Sequence, residues 1–403
     1  MNPARVQFPT PLARFVIAAL TLTLVQMLAG EKALAQTASE ELVDLADTAE
    51  EAGEQLVEKA EEEEGAPVSR VIVPIPISNP LLGTGLGVAA GWFYKPAGSA
   101  SPWATGIGAL ATENGSWGLV GYHKMALAGD RLRLEGAIGT GRLKTTFRPS
   151  GLGLSETQPN IELTQDAVFF EVKATTQILP NILAGAKVVY STENQILVPN
   201  GALVDGLDIR DEPFPINVEY DVERFSYGPA LTFDTTDGGF NKRSGVLVDA
   251  DWLFTDASIF NDFGYNQIQI TASEYFEVGD ASVIALRQSL CLSSDNTPFF
   301  AQCDIGTRSN LRGYPVGVRN DDASWAAQAE WRLPLSGKFG AVAFAGVGSV
   351  ANGFGDFGNA ELLPAGGVGL RYLLAEEYGV NFRVDYALGK DGSSLYISIG
   401  EAF

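Results

Sequence analysis

The 403-residue chain carries a formal charge of −22, with 45 glycines, 46% hydrophobic, 10% aromatic and 19% charged residues. The hydrophobic share excludes a wholly disordered chain, the charge opposes nucleic-acid phosphate, and the glycine content is high for an α/β enzyme. With 1 histidine and 2 cysteines there is little from which to build a transition-metal site, so neither a metal nor a cofactor is expected.

In chain order, Arg5 and Arg14 precede the apolar run 15–28, and Ala33-Leu34-Ala35 offers a small-x-small cleavage pattern before Gln36. Residues 1–35 are therefore expected to be the signal peptide of an exported protein. The alternative, an uncleaved anchor, calls for about 20 apolar residues. Residues 36–69 change character: twelve acids lie between Ser39 and Glu64, with one lysine and no aromatic residue. Leu42, Leu45, Ala49, Ala52, Leu56 and Ala60 recur there at helical spacing. An acidic periplasmic spacer or a helix that docks a partner both fit. No later segment is long and apolar enough for a transmembrane helix, so a membrane-embedded form must be a closed β-barrel.

From residue 70 to residue 403 the hydrophobic period is two. In 378–388 the even positions are Tyr, Val, Phe, Val, Tyr and Leu, whereas Asn381, Arg383 and Asp385 occupy odd ones. Strands are expected near 70–78, 84–94, 103–112, 117–126, 131–140, 167–178, 183–191, 224–234, 245–254, 266–276, 281–291, 323–333, 339–350, 365–374, 378–388 and 394–403. A soluble sandwich also alternates. Two features favour a transmembrane barrel: segments of about ten residues match a tilted bilayer span, and Trp252, Phe254, Tyr372, Trp325 and Trp331 fall near segment ends on the apolar face. The expected fold is thus an all-β, 16-stranded antiparallel barrel. Its three long connections, 141–166, 192–223 and 292–322, share the outward side, and short turns share the other.

Two prolines in the first segment, Pro74 and Pro76, remove ladder donors and suit an edge or a poorly paired seam. A weakly bonded first–last seam follows, as does its alternative, a terminal strand outside the barrel. Cys291 and Cys303 bracket one outward loop and are expected to close as a disulfide in an oxidising envelope, stabilising it by roughly 3 kcal/mol. Between that staple and the next strand runs Asn310-Leu311-Arg312-Gly313-Tyr314-Pro315.

Residues 70–403 resemble the BamA/TamA-like outer-membrane assembly barrels, the bacterial surface antigen family, most strongly after residue 224. The most specific element is Arg312-Gly313-Tyr314. In that family an Arg-Gly-aromatic tripeptide lies at the tip of this loop, which folds back into the lumen. Phe233-Asp234 through Arg243-Ser244-Gly245, Thr297-Pro298-Phe299-Phe300, Gly367-Val368-Gly369-Leu370-Arg371-Tyr372 and Arg383-Val384-Asp385-Tyr386-Ala387 are similar too, and the resemblance implies that terminal Phe403 is an insertion signal. There are two departures. Phe344-Ala345-Gly346 has glycine where the family commonly carries aspartate, and residues 36–69 are too short for a periplasmic polypeptide-transport domain.

An arginine inside a barrel needs carboxylate partners, and Glu330 and Asp385 point inward by parity. Arg312 is therefore expected to pair with one or both, plugging the lumen; an ordinary solvated turn is the alternative. Enzyme chemistry is not expected. His123 reads as a lumenal polar residue rather than a base, and Asp234, Asp237, Asp249 and Asp251 lack calcium-loop spacing and read as solvated turn and lumen positions. The resemblance implies insertion or translocation of protein or lipid through the first–last seam. Expected partners are outer-membrane lipid or lipopolysaccharide, a periplasmic delivery protein and a substrate polypeptide, with no nucleic acid. A passive channel and a structural surface barrel without a transport role are the competing classes.

Overall fold

The computed structural model describes residues 68–79, 83–96, 99, 101–147, 161–199, 218–257, 263–279, 281–295, 297–298, 301–306, 311–314 and 319–403. The expected signal peptide 1–35 and nearly all of the acidic segment 36–69 lie outside them, as do Phe299, Phe300, Asn310 and Pro315.

Sixteen strands form one antiparallel sheet in chain order. They are β1 (Ser69–Asn79), β2 (Gly83–Tyr94), β3 (Trp103–Thr112), β4 (Trp117–Leu127), β5 (Leu132–Phe147), β6 (Ile161–Leu179), β7 (Ile182–Pro199), β8 (Val218–Asp234), β9 (Gly245–Thr255), β10 (Tyr265–Val278), β11 (Ser282–Ser293), β14 (Ala323–Pro334), β15 (Phe339–Ala351), β16 (Leu363–Ala375), β17 (Val380–Gly389) and β18 (Gly392–Ile399). Two short strands, β12 (Cys303–Asp304) and β13 (Asn320–Asp321), pair with each other inside the β11–β14 loop. Among the described residues no helix is long and apolar enough to cross a membrane.

The two faces differ as a barrel wall requires. Trp252, Trp331, Phe339, Leu370, Tyr372, Tyr386 and Leu395 are exposed on the outward face. The inward face carries ion pairs that join strands which are not neighbours in the sheet, such as Arg133 Nη1 to Asp234 Oδ2 at 2.6 Å and Lys173 Nζ to Asp249 Oδ1 at 2.9 Å. These bonds are chords across a lumen.

The structure differs from expectation in three places, two of them strand bounds and one the face a residue occupies. β5, β6, β7 and β8 run for 16, 19, 18 and 17 residues, so the loops expected at 141–166 and 192–223 are partly strand. About ten residues cross a bilayer, and the surplus lies at the long-loop end. The last strand stops at Ile399 rather than Phe403. Gly400 adopts φ +90, and its N–H donates to the Asn381 carbonyl at 2.7 Å; that turn takes the chain off the sheet. His123 is the third correction. It shares the outward face with Leu119 and Met125, accompanied by Thr105 at 2.9 Å and the Trp103 ring at 6.1 Å, because Tyr122 and Lys124 take the inward positions.

The sheet begins at β1 and ends at β18, and no ladder joins them among the described residues. In place of a ladder there is side-chain packing. Val71, Val73, Phe93 and Ala104 are buried against Ala375, Tyr378 and Val380, with Phe382 and Ile399 at the margin. Cross-strand register puts Val73 on the inward face with Val120, whereas Phe382 shares the outward face with Tyr372. The inner face of the first strands thus covers the outer face of the last ones: the edges overlap instead of meeting. Proline in a strand directs its missing donor away from the neighbour, so the free edge of β1 is short of donors at Pro74 and Pro76. In the detergent-solubilised barrel, amides of β1 and β18 are expected to exchange faster than those of β9 to β11. Equal protection would mean that a ladder closes the seam.

Candidate functional site

The β11–β14 loop is fixed at its root and again at its tip. At the root, Cys303 is disulfide-bonded to Cys291 of β11, and the β12–β13 ladder brings the outgoing and returning chain together. Beyond it Ile305, Leu311 and Tyr314 are buried with Ala326 and Leu363 on the lumen wall. The glycine that replaces the family's aspartate has a clear steric role here: a methyl group on Gly346 would lie 2.8 Å from Leu311 Cδ1. The position admits the loop's leucine, and the charged partners come from elsewhere.

At the tip, the Arg312 guanidinium reaches Asp385 Oδ2 of β17 at 2.5 Å and Glu330 Oε2 of β14 at 2.6 Å. Its Cζ stands 3.5 Å from the centre of the Phe344 ring of β15. Gly313 adopts φ +112, and a Cβ there would meet the Leu388 carbonyl oxygen at 2.9 Å; only glycine fits this turn and this approach to β17. The Gly313 N–H donates to Tyr396 Oη at 3.0 Å, and the Tyr314 hydroxyl donates to the Pro364 carbonyl at 2.7 Å. The tripeptide therefore touches β14, β15, β16, β17 and β18.

Parity reasoning left several members of this network unread. Arg371 of β16 holds Asp385 Oδ1 at 2.5 Å and Glu401 Oε2 at 2.7 Å. Arg332 of β14 holds Glu330 Oε1 at 2.8 Å and donates to the Phe403 main-chain oxygen at 2.6 Å. Arg383 stands 3.8 Å from Asp385. Four arginines and three carboxylates share one buried cluster, in which Glu330 and Asp385 have no exposed side-chain surface. Alternation put Arg383 on the polar face of its strand without assigning it to the cluster, and Arg371 entered only as part of a motif; Glu401 was hidden by the expectation that the last strand continues to Phe403. The Phe403 side chain packs on Tyr275, Val283 and Ala285, with Arg287 and Arg332 each 5.8 Å from its ring.

A second group of ions lines the lumen between β4 and β9. Lys124 pairs with Glu135 at 2.9 Å, and Lys173 with Asp249 and Asp251 at 2.9 and 3.3 Å. Asp234, Asp249 and Asp251, read from sequence as solvated turn and lumen positions, face the lumen and are ion-paired there. No His/Cys/Asp/Glu group able to hold a metal occurs among the described residues.

Outside the membrane span the returning loop is clamped to the β17–β18 turn. Arg319 grips Asp391 with Nε and Nη2 at 2.8 and 2.6 Å and reaches Glu361 at 3.1 Å; Lys390 also bonds Glu361. The hydrogen bonds from Arg319 hold the Asp391 carboxyl below its usual range.

The sequence profile of the Omp85 superfamily domain matches residues 184–403. No curated protein matches. Among solved structures, BamA from Haemophilus ducreyi lacking POTRA domains 1-3 is similar at 12% identity and a TM-score of 0.51, over 84% of this chain and 69% of that one. CdiB from Escherichia coli is similar at 13% identity and a TM-score of 0.53, over 83% of this chain and 62% of that one. CdiB from Acinetobacter baumannii is similar at 10% and 0.51, over 83% and 59%. These likenesses are of fold, and the chain spans less than two thirds of either CdiB.

Two outcomes follow from this geometry. Arg312→Ala leaves Glu330 and Asp385 short of a partner, a loss of about 3–5 kcal/mol for a broken buried pair; thermal unfolding in detergent should shift down, and Arg312→Lys should restore it only in part, because an ammonium lacks the planar fork that bonds both carboxylates while lying over the Phe344 ring. The Asp391 clamp contributes stability above the ordinary aspartate range that is lost as pH falls through the lowered folded value. Proteolysis within the loop should therefore rise on acidification, and Asp391→Asn should remove that pH step.

Proposed function

The chain belongs to the Omp85 superfamily and is a bacterial outer-membrane β-barrel, and we propose that it inserts or translocates polypeptide at that membrane through the seam between β1 and β18. The observation that carries this reading is the overlapped edge: two strands held by side-chain packing part without breaking a ladder. Parting would uncover main-chain groups able to add an incoming strand, the physics of β-augmentation. The apolar faces of Val71 and Val73 on one side and of Val380 and Phe382 on the other would become the groove that receives its side chains.

In this reading the loop tip is a brace. Arg312, Glu330, Asp385 and Arg371 tie β14, β16 and β17 to the loop, and Arg371 and Arg332 tie the chain end at Glu401 and Phe403 to the same cluster. The last strands and the tail thereby act as one body, and the seam opens at its boundary with β1. The substrate is a polypeptide with strand-forming segments, brought by a periplasmic delivery protein; the acidic segment 36–69 is a candidate contact for that protein. No step of this mechanism needs bond chemistry.

The test is assembly of a urea-unfolded outer-membrane barrel in proteoliposomes, followed by heat-modifiable gel mobility. Wild type should accelerate folding over empty liposomes. A Val73→Cys/Val380→Cys variant closed with a bismaleimide should lose that acceleration, while each single-cysteine variant treated alike keeps it. Equal rates for locked and unlocked barrels would exclude the seam as the route, and no acceleration by wild type would exclude insertion.

A further inference from the structure

The outward face of β9 to β18 is apolar with one notable interruption. Glu274 shares its face with Ile270, Phe276 and Val278, opposite Leu286 and Val246 in register, and all three face-mates are exposed. Its diagonal neighbour Gln288, opposite Ala272, also points outward and is exposed. Neither side chain has a hydrogen-bond or ion-pair partner among the described residues. A carboxylate on the lipid face of a barrel is destabilising, by an amount that depends on depth. Along β10 Glu274 is flanked on that face by exposed Ile270 on one side and by exposed Phe276 and Val278 on the other.

The surface beside this pair is unusually shallow. Continuing across the sheet from Glu274, the outward positions are Leu286, Ala329, Ala345 and Gly366; from Gln288 the next is Ala327. Ala329, Ala343 and Ala345 are exposed, and Trp331 stands at the border. Inside a bilayer, protein segments associate where small residues allow close approach and polar side chains bond across the contact. Both features coincide here.

We propose that this face, centred on Glu274 and Gln288, is a contact surface for a second copy of the same chain. Complementarity between the two side chains favours self-association. A carboxylate only accepts hydrogen bonds, whereas a glutamine amide donates, and a twofold axis would set Glu274 of each copy against Gln288 of the other. One patch then satisfies both orphan groups twice, and the alanine surface lets the walls meet. The seam stays free, because β10 and β11 lie far from β1 and β18 in the strand order.

The test uses the full barrel in a mild detergent and in proteoliposomes, with mass measured by light scattering and contact by oxidative cross-linking of Ala329→Cys, whose native cysteines are already bonded to each other. Wild type should be dimeric, and the Ala329→Cys pair should cross-link. Glu274→Leu and Gln288→Leu should each weaken the dimer about tenfold, since each removes two bonds of membrane strength across the axis. Glu274→Gln should retain it, and Ala345→Trp should block it while leaving heat-modifiable mobility unchanged. A monomeric wild type without cross-links would overturn the proposal. So would a dimer indifferent to all three disruptive variants, or Glu274-dependent cross-linking to a different protein or to an amine-headed lipid alone.

Discussion

An arginine carried into a barrel must be answered by carboxylates, and the architecture around the lumen is organised by that requirement. Arg312 arrives from a loop, Glu330 and Asp385 from two strands, and Arg371, Arg332 and Glu401 extend the pairing toward the chain end. Buried ion pairs of this kind contribute little net stability but impose a large penalty on any arrangement that leaves one member unpaired. The cluster therefore selects one conformation of the loop, one position of the last strands and one course of the tail. The hydrophobic contacts of Leu311 and Tyr314 add affinity to a geometry that the charges have already chosen.

That selection also explains the seam. A sheet closes when its first and last strands share a ladder, yet here the chain turns at Gly400 and is drawn inward by Arg371 and Arg332. β18 follows the tail toward the lumen, and the prolines of β1 leave it a poor donor edge. What remains is an apolar overlap of Val71 and Val73 with Val380. Parting these edges would uncover apolar surface without breaking an inter-strand ladder among the described residues.

Much of this was legible in the chain. Strict alternation gave sixteen strands and their inward and outward faces, and parity placed Glu330 and Asp385 toward the lumen. The failures have physical causes. In the outer halves of β6 and β7, Thr164, Gln165 and Asp166, like Thr192, Glu193 and Asn194, present polar groups to both sides, so the hydrophobic period vanishes although the ladder continues. His123 lies on the face of Leu119 and Met125, and its own polarity beside Tyr122 and Lys124 outweighed that alternation in the lumenal reading. Gly346 read as a missing acid; its meaning appears only with Leu311 beside it. Glu401 could be assigned to the cluster only once the strand was known to end before it.

The unequal strand lengths leave a rim of uneven height. β6 has 19 residues and β18 has 8, and the surplus of about nine residues in β6 over the roughly ten that cross a bilayer raises the wall there by roughly 20 Å. The tall side is formed by β5 to β8, and the first and last strands stand low. Anything approaching from the cell exterior thus meets a parapet on one flank and an open sill on the other. Among the described residues, the strands themselves screen the mouth on the β5 to β8 flank.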